Sequence, residues 1–89
     1  MKTSPRTIWK YSVRLTDCQA IVMPEGSVPR AVRAVGNEIF LWAEVYPDAP
    51  LKPVVVQIVG TGYPIPGDTS YIGTVFMDPF VWHIYLPVA

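Results

Sequence analysis

The chain has 89 residues, 51% of them hydrophobic and 16% charged, with seven basic side chains balanced by seven acidic ones. That length admits one small domain with a modest core, and the neutral balance excludes the strong basic excess that long nucleic acid requires. One cysteine, Cys18, excludes an internal disulfide, and with His83 as the other soft ligand there is no zinc set.

Residues 1–6 are expected to be a loose end. From Thr7 the chain alternates, with Thr7, Trp9, Tyr11, Val13 and Leu15 on one face and Arg6, Ile8, Lys10, Ser12 and Arg14 on the other. This predicts a half-buried strand over 7–15 with three cations on its open side. Such a row is also an ordinary solvated face, or the protection of an edge strand against aggregation. Asp17 marks a turn, and Cys18 to Met23 reads as a second strand, with Cys18 a buried or half-buried small hydrophobe. Glu25-Gly26-Ser27 turns the chain again.

Arg30 to Val35 and Glu38 to Val45 form a hairpin through Gly36-Asn37, a pair suited to positive φ at both central residues. On its second arm Ile39, Leu41, Ala43 and Val45 share a face and Phe40 and Trp42 occupy the other, which predicts a central strand or one covered by another subunit. Tyr46 to Pro53 carries three prolines and is expected to be a loop. Val54 to Val59 is a β-branched run expected to lie deep.

Gly60 to Thr74 then concentrates glycine, proline, threonine and tyrosine, and the segment 60–70 reads as a long loop. Tyr71 to Phe76 is the next strand, Met77-Asp78-Pro79 a turn, and Phe80 to Leu86 the last strand. The fold class is all-β: a single domain over 1–89, built as a small antiparallel sandwich or barrel of about seven short strands. Excess apolar surface predicts an oligomer. No apolar run reaches the ~18 residues of a membrane span and the N-terminus lacks a signal-peptide core, so a cytosolic protein without membrane partners is expected.

Catalysis is poorly supported, because the acids are scattered and a single histidine has no evident partner. His83 reads as a structural histidine or as a donor to phosphate. Binding is better supported. Gly60-Thr61-Gly62 offers backbone N–H groups and a hydroxyl in a concave turn, which accepts anionic oxygens, although the lysine of a P-loop is missing. Tyr63 and Tyr71, with Trp9, Trp42 and Trp82, offer flat faces worth about 1–3 kcal/mol per stacked base, though core packing is the ordinary reading of each tryptophan. The first 33 residues hold six basic side chains against two acidic, so Lys10 and Arg14 supply countercharge.

The segments I-W-K-Y at 8–11, M-P at 23–24, L-W-A-E-V at 41–45, V-G-T-G-Y-P at 59–64, Y-I-G-T at 71–74 and V-W-H-I-Y at 81–85 resemble, over nearly the whole chain, a family of short proteins encoded by bacteriophages and prophages. That family is similar in turn to the anti-CBASS sponges, which sequester the cyclic nucleotide signals of bacterial immunity without cutting them. The resemblance implies a β-rich dimer or tetramer in the cytoplasm of the infected host, a cyclic oligonucleotide ligand between subunits, and neither cofactor nor metal. It departs at Tyr63, where histidine follows G-T-G in many relatives. The combined expectation is a non-enzymatic site of Lys10, Arg14, Gly60, Thr61, Gly62 and Thr74 at phosphates, with Trp9, Tyr11, Tyr63, Tyr71 and Trp82 at bases and His83 nearby. A structural or protein-binding phage module, such as an inhibitor of a host protein, is the competing expectation. A nucleotide-degrading enzyme centred on His83 is a third.

Overall fold

The computed structural model describes residues 5–87. Residues 1–4 of the expected loose end lie outside the described residues, and Pro5 and Arg6 lead into the first strand with exposed side chains. Seven strands follow: β1 (Thr7–Val13), β2 (Cys18–Pro24), β3 (Val28–Val35), β4 (Glu38–Val45), β5 (Leu51–Gly60), β6 (Thr69–Met77) and β7 (Phe80–Pro87). They form a three-stranded sheet in the order β1-β4-β3 and a four-stranded sheet in the order β2-β5-β7-β6, with every ladder antiparallel. There is no helix among the described residues, and so none long and apolar enough to cross a membrane.

The alternation of β4 organises the core. Ile39, Leu41, Ala43 and Val45 are all buried, whereas Phe40 and Trp42 turn outward, as expected of a central strand. Their neighbours across the sheet carry the same face, since Val13 pairs with Ile39 and Tyr11 with Leu41. From the other sheet Met23, Val56, Ile58, Val75, Ile84 and Leu86 close over them, giving a sandwich-like pair around one core. Gly73 fixes how closely the sheets approach along one seam. A Cβ there would stand 2.6 Å from Cγ2 of Val32, so only glycine lets β6 lie against β3.

Several boundaries differ from the sequence expectation. β1 stops at Val13 instead of Leu15, because the buried Gln19 amide takes both backbone groups of Arg14, accepting its N–H at 3.0 Å and donating to its C=O at 2.6 Å. Those backbone groups are thereby satisfied outside any ladder. β3 begins at Val28 and includes Pro29, with a register shift between Pro29 and Ala31. At the β3–β4 hairpin only Gly36 takes positive φ, +61°, while Asn37 does not, the pattern of a type II′ turn.

Proline did not keep residues 51–53 out of the sheet. Pro53 pairs with Val22, in the half of β5 that β7 does not reach, so a nitrogen facing that open side removes no ladder bond. Nor is β5 deep throughout, since Val55 is exposed on the outer face. Cys18 is exposed, not buried: its pairing with Gln57 puts it on the outer face of the four-stranded sheet. No tryptophan is fully buried; Trp9 is exposed and Trp42 and Trp82 are half-buried.

Candidate functional site

The glycine-rich segment owes its length to topology. β5 and β6 both run antiparallel to β7 and therefore parallel to each other, with β7 between them. No tight hairpin can join parallel strands, so the chain must pass across β7. The loop proper is residues 61–68; Gly60 is the last residue of β5, and Gly73 and Thr74 belong to β6.

The crossover starts with a turn. Tyr63 N–H donates to the Gly60 carbonyl at 3.1 Å, with Gly62 at φ +92° in the third position, where a type II turn requires glycine. Tyr63 N–H is thus consumed by the turn and is not free for an anion. Gly60 pairs with Trp82, and a Cβ on it would meet the indole Cζ3 at 3.3 Å. The missing side chain lets the ring lie over the backbone.

A row of polar side chains crosses the outer face of the four-stranded sheet. Thr61 Oγ1 is 2.9 Å from Nε2 of His83, Thr74 Oγ1 is 3.0 Å from its Nδ1, and the Tyr71 hydroxyl is 2.6 Å from Thr74 Oγ1. A bulge makes this row possible. Positions 71 and 74 would point to opposite faces of a regular strand, but the register shift between Tyr71 and Gly73 pairs Tyr71 with Tyr85 and Thr74 with His83 on one face. The Tyr71 and Tyr85 rings meet edge to face at 5.7 Å. With both ring nitrogens held by threonine hydroxyls, His83 has no carboxylate among the described residues to orient it as a general base. The row can donate and accept hydrogen bonds through hydroxyls that also reach solvent.

The row meets, at Thr61, a cleft of about 920 Å³ between the β1–β2 turn and the crossover, which Phe80 and Trp82 enter from the inner face, opposite His83. Its walls include Gly60, Thr61, Tyr63 and Trp82, which the sequence singled out, and also Leu15, Asp17, Pro66 and Phe80, which it did not. The Phe80 and Trp82 rings stack at 5.4 Å and 23°. Their i, i+2 spacing in a strand was a legible signal of a shared face. The Trp82 indole N–H is buried with no hydrogen-bond partner among the described residues.

The residues expected from β1 do not join this site. Trp9 and Tyr11 share the inner face of the three-stranded sheet with Ala43 and Leu41, and the Tyr11 hydroxyl, buried and without a partner among the described residues, is held above the usual phenol range by that burial. Lys10 sits on the outer face of that sheet, 4.6 Å above the Phe40 ring, with the core between it and His83. Alternation on β1 correctly separated Lys10 from Trp9, but sequence alone did not reveal which sheet β1 would enter. Arg14, exposed in the β1–β2 turn, adjoins the cleft through Leu15. No group of three or more His, Cys, Asp and Glu side chains able to hold a metal occurs among the described residues.

The chain belongs to the domain family of unknown function DUF7352, which it matches over residues 4–89. No curated protein and no solved structure matches it.

Proposed function

We propose that this protein binds a cyclic oligonucleotide signal and sequesters it without cleaving it, as a bacteriophage immune-evasion protein acting in the cytoplasm of the infected host. The observation that carries the reading is the hydroxyl and imidazole row of Thr61, His83, Thr74 and Tyr71 running up to an aromatic cleft. Phosphodiester oxygens take the hydroxyls and the imidazole, and bases take the ring faces of Tyr63, Phe80 and Trp82. Arg14 contributes charge at the rim. Lys10, Trp9 and Tyr11 are left out of the site within one chain.

Binding without turnover fits His83, whose nitrogens are both occupied by neutral hydroxyls and which has no partner acid among the described residues. Assembly as a dimer or tetramer fits the outer face of the four-stranded sheet, which exposes Val22 on β2, Val55 on β5, and Tyr71 and Phe76 on β6, Phe76 at 73%. That same face favours a second reading, a module that docks on a host protein.

The test is thermal melting of the purified protein against a panel of cyclic di- and trinucleotides, with chromatography of the ligand recovered after denaturation. A raised melting temperature with intact ligand recovered is expected, together with binding that weakens as salt rises. No shift across the panel overturns the reading in favour of a protein partner, and recovery of cleaved ligand overturns it in favour of an enzyme.

A further inference from the structure

We infer that the cleft is selective for guanine, with the Asp17 carboxylate reading the base; the inference rests on the cyclic-oligonucleotide reading above. Among the described residues Asp17 is the only one of the lining that carries a formal charge, in walls otherwise made of apolar, aromatic and neutral polar groups. Among the described residues its carboxylate has neither a hydrogen-bond nor an ion-pair partner, while its backbone carbonyl accepts the Ile58 N–H at 3.1 Å and fixes the residue against β5. The cleft's volume of about 920 Å³ lies within the range of small-molecule sites. Phe80 and Tyr63 are 55% and 74% exposed, so their ring faces are open to a flat ligand.

An ionised carboxylate only accepts hydrogen bonds. Its complement on a base is an edge with two adjacent donors. Guanine presents N1–H and N2–H side by side and satisfies both oxygens. Adenine presents one donor beside the bare N1, whose lone pair would face the carboxylate, and cytosine does the same through N3. Uracil offers one N–H between two carbonyls. The aromatic walls hold any base, because every base has a stacking face, so the choice among bases falls to Asp17. Thr61 lines the same cleft and bonds to His83, so a guanosine seated there leaves its phosphate at the end of the hydroxyl row.

Asp17→Asn makes the test sharp, because an amide offers one acceptor and one donor, the complement of adenine's edge. Isothermal titration of the wild-type chain with cyclic di-GMP, cyclic di-AMP and cyclic di-UMP is expected to give affinity for cyclic di-GMP at least about tenfold above the other two. Asp17→Asn is expected to lose that preference and to bind cyclic di-AMP more tightly than wild type does. The variant's melting temperature without ligand reports its folding. Similar affinity for all three ligands overturns guanine selectivity, and a guanine preference that Asp17→Asn leaves intact overturns the assignment of Asp17 as the reader; either result leaves the sequestering function standing. No binding of any ligand overturns both.

Discussion

The two outer faces of the sandwich are built from the same kind of strand and are chemically opposite. The three-stranded sheet presents charge: Glu44 pairs with Arg30 and Arg6, each at 3.0 Å, and Lys10 covers the Phe40 ring. The four-stranded sheet turns Cys18, Ala20, Val55, Gln57, Val81, Tyr85 and Phe76 outward and, among the described residues, carries no formal charge on that face, with His83 and its threonines as the polar centre. Three of the described cations near the start of the sequence, Arg6, Arg30 and Lys10, are therefore committed to salt bridges and a ring face on the side away from the cleft. The core stands between these charges and the hydroxyl row, so within one chain they do not meet. For the proposed ligand, what remains is neutral hydrogen bonding, aromatic stacking and the Arg14 cation of the β1–β2 turn.

The contrast depends first on both faces being fixed about one core. Leu41→Ala, which empties a fully buried position on β4, is expected to cost about 2–5 kcal/mol in urea denaturation. A smaller loss would mean that the sheets are not packed as described. His83→Ala separates the faces by function: it is expected to abolish the stabilisation by cyclic dinucleotide, about 2.7 kcal/mol at a hundredfold excess over the dissociation constant, with little change in the free protein. Lys10→Ala on the opposite face should leave that stabilisation intact, and equal effects of the two substitutions would erase the distinction.

Gly73→Ala probes the seam between the sheets. A methyl group forced against Val32 is expected to destabilise by about 1–3 kcal/mol and to disturb the bulge that aligns Tyr71 with Thr74. Its melting curve should fall even though no side chain is removed. The smallest effect belongs to the charged face. The hydrogen bond from Arg30, followed by the charges of Arg30 and Arg6, holds the Glu44 carboxyl below the usual carboxylate range, and Arg30 is held above its own. With its folded value depressed, Glu44 contributes stability above the unfolded carboxylate range and loses it as pH falls through the folded value. Glu44→Gln should flatten that part of the acid limb of a stability profile, with the difference fading in high salt because the pair is exposed.

Much of the fold is legible in the residues. The alternation of β4 and the Gly36-Asn37 hairpin follow from period two and turn chemistry, and Phe80, Trp82, Ile84 and Leu86 do share a face. The prolines misled, because whether Pro53 breaks a strand depends on which side has a neighbour, a property of sheet order. Of the site, the Gly60–Tyr63 turn and the aromatic residues were readable as a candidate, but the hydroxyl row was not, since it needs a bulge that puts positions 71 and 74 on one face. The cleft needs the β1–β2 turn beside the crossover, a long-range meeting with no local signature. For the same reason Asp17 read only as a turn residue.

The most direct test of the central claim is a titration of the isotopically labelled protein with cyclic dinucleotide, followed by amide and side-chain chemical shifts. Shifts concentrated at Thr61, Tyr63, Thr74, Trp82 and His83, with Lys10, Arg33 and Trp42 unmoved, are the predicted result. Shifts centred on β1 and the outer face of the three-stranded sheet would contradict the account and return the site to the cations.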